Sequence, residues 1–290
     1  MTNPADRTRS RTSALAAAPV TSYLSRPGGR IGYDVAGEGP LVVLVPGMGD
    51  LRAAYRFLAP ALRRADYRVA CADLRGHGDS DTTFASYGDE DTAGDVIALI
   101  TELGGGPAVV VGNSMAGGSA VLAAAQRPEL ARGLVLVGPF VRDAAVGPMR
   151  RVLLRAAMAP PWAALSWKAY LPKLYAGQRP ADFGEYRGQV VAALRRPGHA
   201  AAFSRTTRTS HDLAEARLAD VTAPALVVMG EQDPDFPNPR AEADWIAGSL
   251  HAKVVMVAGA GHYPQSQQPD ITTAAILRFL AALPGAGPDG

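Results

Sequence analysis

Residues 107–126 read PAVVVGNSMAGGSAVLAAAQ. An apolar run over 108–111 stops at Gly112. Ser114 follows two residues later, then Ala116, Gly117 and Gly118, then an alanine-rich stretch of helical character. A strand, a cramped turn with a serine at its tip, and a helix would hold the hydroxyl at the mouth of a parallel sheet, where a nucleophile needs to stand. The pattern of such a nucleophile elbow is G-x-S-x-G. Here Ala116 replaces the last glycine, giving G-x-S-x-A. The turn crowds the residues two before and two after the serine, and alanine is the next smallest choice.

Outward from this turn, short apolar runs alternate with helical spacing. Strands are expected at 31–35, 41–45, 68–72, 108–111, 134–137, 225–229 and 253–257. The run LVVLV at 41–45 has the continuous apolar character of a strand covered on both faces. Helices are expected over 52–64, 89–103, 114–126, 239–249 and 270–282. The alternation predicts an α/β fold with a mostly parallel central sheet flanked by helices. It breaks between Val141 and Arg217, where the composition is helical, no strand run is clear, and prolines stand at 148, 160, 161, 172, 180 and 197. The expected organisation is a core of 21–140 and 218–283 interrupted by a helical cap at 141–217. A disordered lead-in is expected at 1–20 and a disordered tail at 284–290.

Bulk properties narrow the function classes. The chain has 290 residues, 48% hydrophobic and 19% charged, enough for one large domain with an insertion. A formal net charge of +2 gives no reason to expect a nucleic-acid partner. The absence of an 18-residue apolar run argues against a membrane span, and no membrane partner is expected. Cys71, the single cysteine, suits a reducing compartment, so the expected location is cytoplasmic; the thiol itself reads as a small buried apolar group. H-x-x-H and C-x-x-C spacings are absent, as is G-x-G-x-x-G after a strand, so neither a metal nor a cofactor is expected.

A serine hydroxyl needs a base within hydrogen-bond reach, and the base needs a group that fixes its tautomer. Of the five histidines, His262 lies in VAGAGHYPQ, straight after the run at 253–257, on a glycine-rich loop able to reach a neighbouring strand end. His77 sits in a glycine-rich turn, His251 precedes a strand, and His199 and His211 fall in the insert. The acid follows the run at 225–229, where MGEQDPDFPNP offers Asp233 and Asp235. Asp233 is favoured because it lies three residues after Gly230 and just before Pro234.

The order Ser114, Asp233, His262 is the Ser, Asp/Glu, His order of the α/β-hydrolase fold. With VPGMGD at 45–50, ADLRGHGDS at 72–80, GEQDPDFP at 230–237 and GAGHYP at 259–264, the chain resembles that superfamily, and within it the capped serine hydrolases. The resemblance runs from about residue 22 to residue 283. It implies a Ser114–Asp233–His262 triad and an oxyanion hole made by the backbone amides of Met48 and Met115. Pro46-Gly47 stands where many relatives carry His-Gly, which keeps the backbone donor and loses a side-chain one. The resemblance also implies that Asp73 and Arg75 tie their turn to the sheet, that His77 pins the turn, and that Asn113 braces the elbow. A nucleophilic aspartate at 114 would have implied a dehalogenase or an epoxide hydrolase.

The insert carries Phe140 at its border and Trp162, Trp167, Tyr170, Tyr175, Phe183, Tyr186 and Phe203 within it. Phe140, Trp162 and Trp167 are candidates for substrate binding, while packing inside the cap explains most of the aromatic residues equally well. Residues 141–217 hold 13 basic against five acidic residues, which leaves the rest of the chain at −6. A basic lid could steer an anionic substrate, or be a solvated face. The function expected is a cofactor-independent serine hydrolase that cleaves an ester or related acyl bond of a small apolar substrate through an acyl-enzyme. The same triad would serve a carbon–carbon bond hydrolase, a lactonase or a perhydrolase. A different class, a ligand-binding or regulatory protein with little turnover, also fits. The partner expected is a small-molecule substrate, with the chain a monomer or homodimer.

Overall fold

The computed structural model describes residues 20–104, 106–143 and 148–284. The expected lead-in and tail lie outside the described residues, apart from positions 20 and 284. The strands are β1 (Ser22–Arg26), β2 (Gly29–Ala36), β3 (Leu41–Val45), β4 (Arg68–Ala72), β5 (Ala108–Asn113), β6 (Ala131–Val137), β7 (Ala225–Gly230) and β8 (Lys253–Val257). They form one sheet in the order β1-β2-β4-β3-β5-β6-β7-β8. The pairs β1–β2 and β2–β4 are antiparallel and every later pair is parallel.

The central strands are covered on both faces because their side chains have nothing polar to show water. All five residues of β3 and all six of β5 and of β7 are buried. Alternate side chains serve different cores, as a period of two requires. Val43, Val45 and Val110 join one cluster, and Val42, Leu44, Val109 and Val111 the other. The first cluster is closed by helices α2 (Asp89–Glu102), α3 (Ala116–Gln126) and α9 (Pro239–Leu250), and the second by α1 (Leu58–Arg64) and α10 (Pro269–Ala281). The helix ends follow local chemistry. Three acidic residues, Asp89, Glu90 and Asp91, sit in the first turn of α2, where the macrodipole favours them. Asn238 caps α9 through an acceptor bond from the Ala241 amide at 3.0 Å, with Pro239 at the first position.

β1 was absent from the expected strand set. It contributes a single buried side chain, Leu24, paired with Ile31 of β2. A five-residue edge strand with one inward residue leaves too short an alternation to read.

The parallel register lines up the strand ends that matter. Val45 of β3 pairs with Gly112 of β5, Asn113 with Val137 of β6, and Gly230 of β7 with Val257 of β8. The loops that follow β3, β5, β6, β7 and β8 therefore emerge along one edge, the carboxyl end of the sheet, where open α/β sheets place their ligands. Between β6 and β7 the chain leaves the sheet through α4 (Pro148–Ala157), α5 (Ala163–Leu174), α6 (Phe183–Leu194), α7 (His199–Thr206) and α8 (Asp212–Ala216). A third cluster, including Trp167, Tyr175, Phe183, Tyr186 and Phe203, packs α5, α6 and α7 together and against Tyr263 and Ala54 of the core.

Candidate active site

The backbone of Ser114 has φ 57°, one of three non-glycine residues in the left-handed region among those described. That conformation costs about 1–3 kcal/mol and persists only where the surroundings hold it. Here they do so from both sides. Ser114 N–H donates to Val137 O at 3.0 Å, and Ser114 O accepts from Phe140 N–H at 3.0 Å. Gly47, after β3, is the close neighbour: a Cβ there would lie 2.6 Å from Ser114 Cβ. Its missing side chain lets the loop carrying Met48 come up against the serine. The Ser114 hydroxyl makes no hydrogen bond among the described residues and is partly exposed.

His262 lies beyond β8, 1% exposed, with Nδ1 2.7 Å from Asp233 Oδ2. Asp235 is the more distant carboxylate, its Oδ2 3.8 Å from the same nitrogen, and it accepts a hydrogen bond from Tyr170 Oη at 2.8 Å. The geometry therefore selects Asp233 over Asp235 as the immediate partner of the imidazole. This pair and the serine share a site. A Cβ on Gly138, which follows Val137, would lie 3.3 Å from both Asp233 Oδ2 and His262 Nδ1. The Phe140 ring stands 5.9 Å from the imidazole. Asn113 Nδ2 donates to Val137 O at 2.8 Å and to His262 O at 3.3 Å, tying the residue before the serine to the histidine loop. Burial pushes the His262 pKa down, but the charge and hydrogen bond of Asp233, with Asp235 and Asp50, outweigh it and bring it up to about 9. Proton affinity of that size belongs to a base whose imidazolium is stabilised.

The Met48 and Met115 amides donate no hydrogen bond among the described residues. Buried amides are nearly always paired, and Met115 is 4% exposed, so spare donors beside a serine are what a developing oxyanion would require. The Met48 loop is held by groups the sequence did not single out for it. Gly49 N–H donates to His77 Nε2 at 3.0 Å, while His77 Nδ1 faces Arg75 O at 2.8 Å. The bond from Gly49 needs a lone pair on Nε2 and so a neutral ring, and burial pushes the His77 pKa down to about 4. Gly49 O accepts from the Trp167 indole at 2.8 Å. The Asp50 carboxylate, fully buried, accepts from Tyr186 Oη and from Leu51 N–H at 3.1 Å. Burial pushes the Asp50 pKa up to about 7. From the insert, then, α5 and α6 grip the loop after β3, and His262 N–H donates to Leu174 O at 2.8 Å at the end of α5.

Of the residues singled out from sequence, Ser114, Asp233, His262, Met48, Met115 and Phe140 meet at this edge. Trp167 reaches it too, though at 3% exposure its indole N–H is spent on Gly49 O. Trp162 does not come to the site. It is 51% exposed, and its indole donates to Ala156 O at 2.8 Å, which turns the ring onto the neighbouring helix. Asp50, Tyr170 and Tyr186 were missed as site residues. Asp50 stood inside the quoted VPGMGD motif, whereas the tyrosines carry no local signal because their partners lie 65 and 136 positions away. Asp233, Asp235 and His262 hold ligand-type atoms within 4.8 Å of one another. The bond between Nδ1 and Oδ2 occupies the atoms a cation would take, so this donor set suits a proton better than a metal ion.

Residues 40–269 match the family model described as alpha/beta hydrolase fold. The chain belongs to that family. It is 32% identical over 265 residues to the 2-(acetamidomethylene)succinate hydrolase of Mesorhizobium japonicum, covering 88% of this chain and 93% of that protein. It is 27% identical to epoxide hydrolase A of Mycobacterium tuberculosis, covering 92% and 98%. Among solved structures, a thermophilic esterase from Thermogutta terrifontis superposes with a TM-score of 0.74 at 26% identity, covering 91% of this chain and 98% of that one. The protein is a hydrolase of this fold. None of the described helices of this hydrolase is long and apolar enough to cross a membrane.

Proposed function

We propose that this hydrolase cleaves an ester or closely related acyl bond of an uncharged, apolar compound by way of an acyl-enzyme on Ser114. Ser114 Oγ attacks the carbonyl carbon as His262 Nε2 takes its proton, with Asp233 holding the imidazole by Nδ1. The tetrahedral oxygen is received by the Met48 and Met115 amides, each such donor contributing about 100- to 1000-fold in turnover. Collapse breaks the bond to the leaving group, and His262 returns the proton to it. Water, deprotonated by the same nitrogen, then releases the acid.

The observation that carries this reading is the strained Ser114 turn packed against Gly47, beside an imidazole fixed by Asp233. A serine at the tip favours acyl chemistry over the epoxide opening named for one relative, because an aspartate would be expected there for that reaction. Met115 and Phe236 belong to one apolar cluster against which Met48 and Phe140 pack, and the Phe140 and Phe236 rings lie 4.9 Å apart, tilted by 32°. This favours an uncharged acyl group over a dicarboxylate such as that in the first relative's name.

The test is fluorophosphonate labelling and turnover of short-chain p-nitrophenyl esters by the wild type and by Ser114→Ala. Labelling and turnover that vanish together in the variant support the proposal. An unlabelled wild type, inert across the ester series, would transfer the protein to the ligand-binding class.

A further inference from the structure

Ten large apolar side chains stand exposed among the described residues, and six of them fall between positions 149 and 165: Met149, Val152, Leu153, Leu154, Trp162 and Leu165. Met149, Val152 and Leu153 are spaced three and four apart on α4, so they form one stripe, at 72%, 59% and 61% exposure. Trp162 extends it. Its indole bond to Ala156 O seats the ring against the last turn of α4, and Leu165, at 64% exposure, follows three residues on in α5. An apolar surface of this size left open to water marks an interaction site.

Charge decides what covers it. Between Asp143 and Asp182 the sequence holds six basic residues (Arg150, Arg151, Arg155, Lys168, Lys173 and Arg179) and no acidic one. Two copies meeting through this segment would bring basic residues against basic residues. A helix with an apolar stripe, a tryptophan at its end and basic but no acidic residues in its sequence matches a helix lying in the headgroup layer of an anionic bilayer. We propose that α4, with Trp162 and Leu165, docks this protein peripherally on anionic lipid. The sequence had argued against a membrane partner only through the lack of a spanning segment. A ten-residue helix lying in the interface needs no span.

The test is co-sedimentation of the full chain with phosphatidylcholine vesicles and with vesicles containing about 30% phosphatidylglycerol, at about 0.1 M salt. The expected result is at least tenfold tighter binding to the anionic vesicles, weakened by added salt, with a blue-shifted tryptophan emission that Trp162→Phe diminishes. The double variant Val152→Glu, Leu153→Glu should lose the binding at least tenfold while its circular dichroism and ester turnover stay at wild-type values. Equal or no binding to the two vesicle types, or a double variant that binds like the wild type, overturns the proposal. So does a wild-type dimer in sedimentation velocity that the double variant dissociates, which would assign the face to a second copy. Should the double variant misfold, the Trp162→Phe emission decides alone.

Discussion

Two histidine–aspartate pairs share Phe140 as a neighbour. His262 Nδ1 lies 2.7 Å from Asp233 and its ring 5.9 Å from Phe140. His211 Nδ1 lies 2.6 Å from Asp89 and its ring 5.8 Å from Phe140, stacked within 15°. Each pair even has a serine beside it, Ser114 for one and Ser119 for the other. The difference lies in the serines. Ser119 sits inside α3 and its Oγ is spent, 3.1 Å from Asp89 Oδ1 and 3.5 Å from Met115 O. Ser114 sits on a left-handed turn at a strand end, with its hydroxyl unclaimed and spare amides alongside. A serine, a histidine and an aspartate in contact are therefore insufficient to define a site; the strained turn and its unpaired donors separate the proposed nucleophile from the serine packed in the helix. The second pair instead fastens the end of the insert to the elbow helix, since Asp143 accepts from His211 N–H at 2.8 Å and Thr209 Oγ1 donates to Met115 Sδ at 3.6 Å.

The sharpest way to break this distinction is to exchange the roles of the serines. Ser114→Ala should lower kcat by about 10⁴- to 10⁶-fold, as loss of a nucleophile that acts with its base does. Ser119→Ala should leave kcat within about threefold, since its hydroxyl is committed to Asp89 inside the helix and not to the proposed triad. Steady-state kinetics on one ester settle both, and a comparable loss in the two variants would dissolve the contrast.

The pairs themselves should part in the same way, with somewhat smaller effects. Asp233→Asn should cost about 10³- to 10⁴-fold in kcat by favouring the wrong imidazole tautomer, and it should also lower stability, because it strips a buried imidazole of its carboxylate. His211→Ala should lower stability and leave the chemistry alone. It leaves the Asp89 carboxyl, 3% exposed, without its hydrogen-bond partner at 2.6 Å, and an unsatisfied buried polar group costs about 1–3 kcal/mol. Urea unfolding should show that loss, with kcat/KM near the wild-type value.

Titration sharpens the contrast further. His262 is faced by Asp233 and Asp235 from the loop after β7 and by Asp50 from the loop after β3, with Tyr263 beside it in its own loop. The base works only when unprotonated, so kcat/KM should rise with pH through a group above the ordinary histidine value of 6.5, towards about 9. Removing a negative neighbour lowers the affinity for the proton. Asp235→Asn should therefore move the inflection to lower pH, and an unmoved or higher inflection would refute the electrostatic account.

What could be read in advance followed the range of each signal. The runs at 41–45, 68–72 and 253–257 coincide with β3, β4 and β8 because the apolar residues of these strands stand next to one another in sequence. The meeting of Ser114, Asp233 and His262 at one edge was legible because each follows such a run, and a parallel sheet brings the ends of its strands together. The contacts that hold the loop after β3 were hidden. His77 was read as pinning its own turn, yet it also receives the Gly49 amide 28 positions away. Trp167 looked like a pocket wall because composition shows an aromatic ring but not the fate of its indole N–H. Trp162 misled for the same reason. The Asp89–His211 pair spans 122 positions and leaves no periodic trace.

The smallest predicted effect probes those hidden contacts. Trp167 Nε1 donates to Gly49 O at 2.8 Å, one residue beyond Met48, whose amide is the proposed oxyanion donor. Trp167→Phe keeps the aromatic packing against Tyr170 and Phe203, at 5.7 and 5.2 Å between ring centroids, and removes only the donor. A single neutral hydrogen bond contributes about 0.5–1.5 kcal/mol. If that energy holds the Met48 amide in place for the transition state, kcat should fall roughly three- to tenfold with KM unchanged, because the loop is asked to bind a charge that the ground state lacks. A purely structural bond would lower the unfolding midpoint and leave kcat alone. The ratio of those two losses in the one variant measures how far the insert serves the chemistry of the sheet edge rather than its own packing.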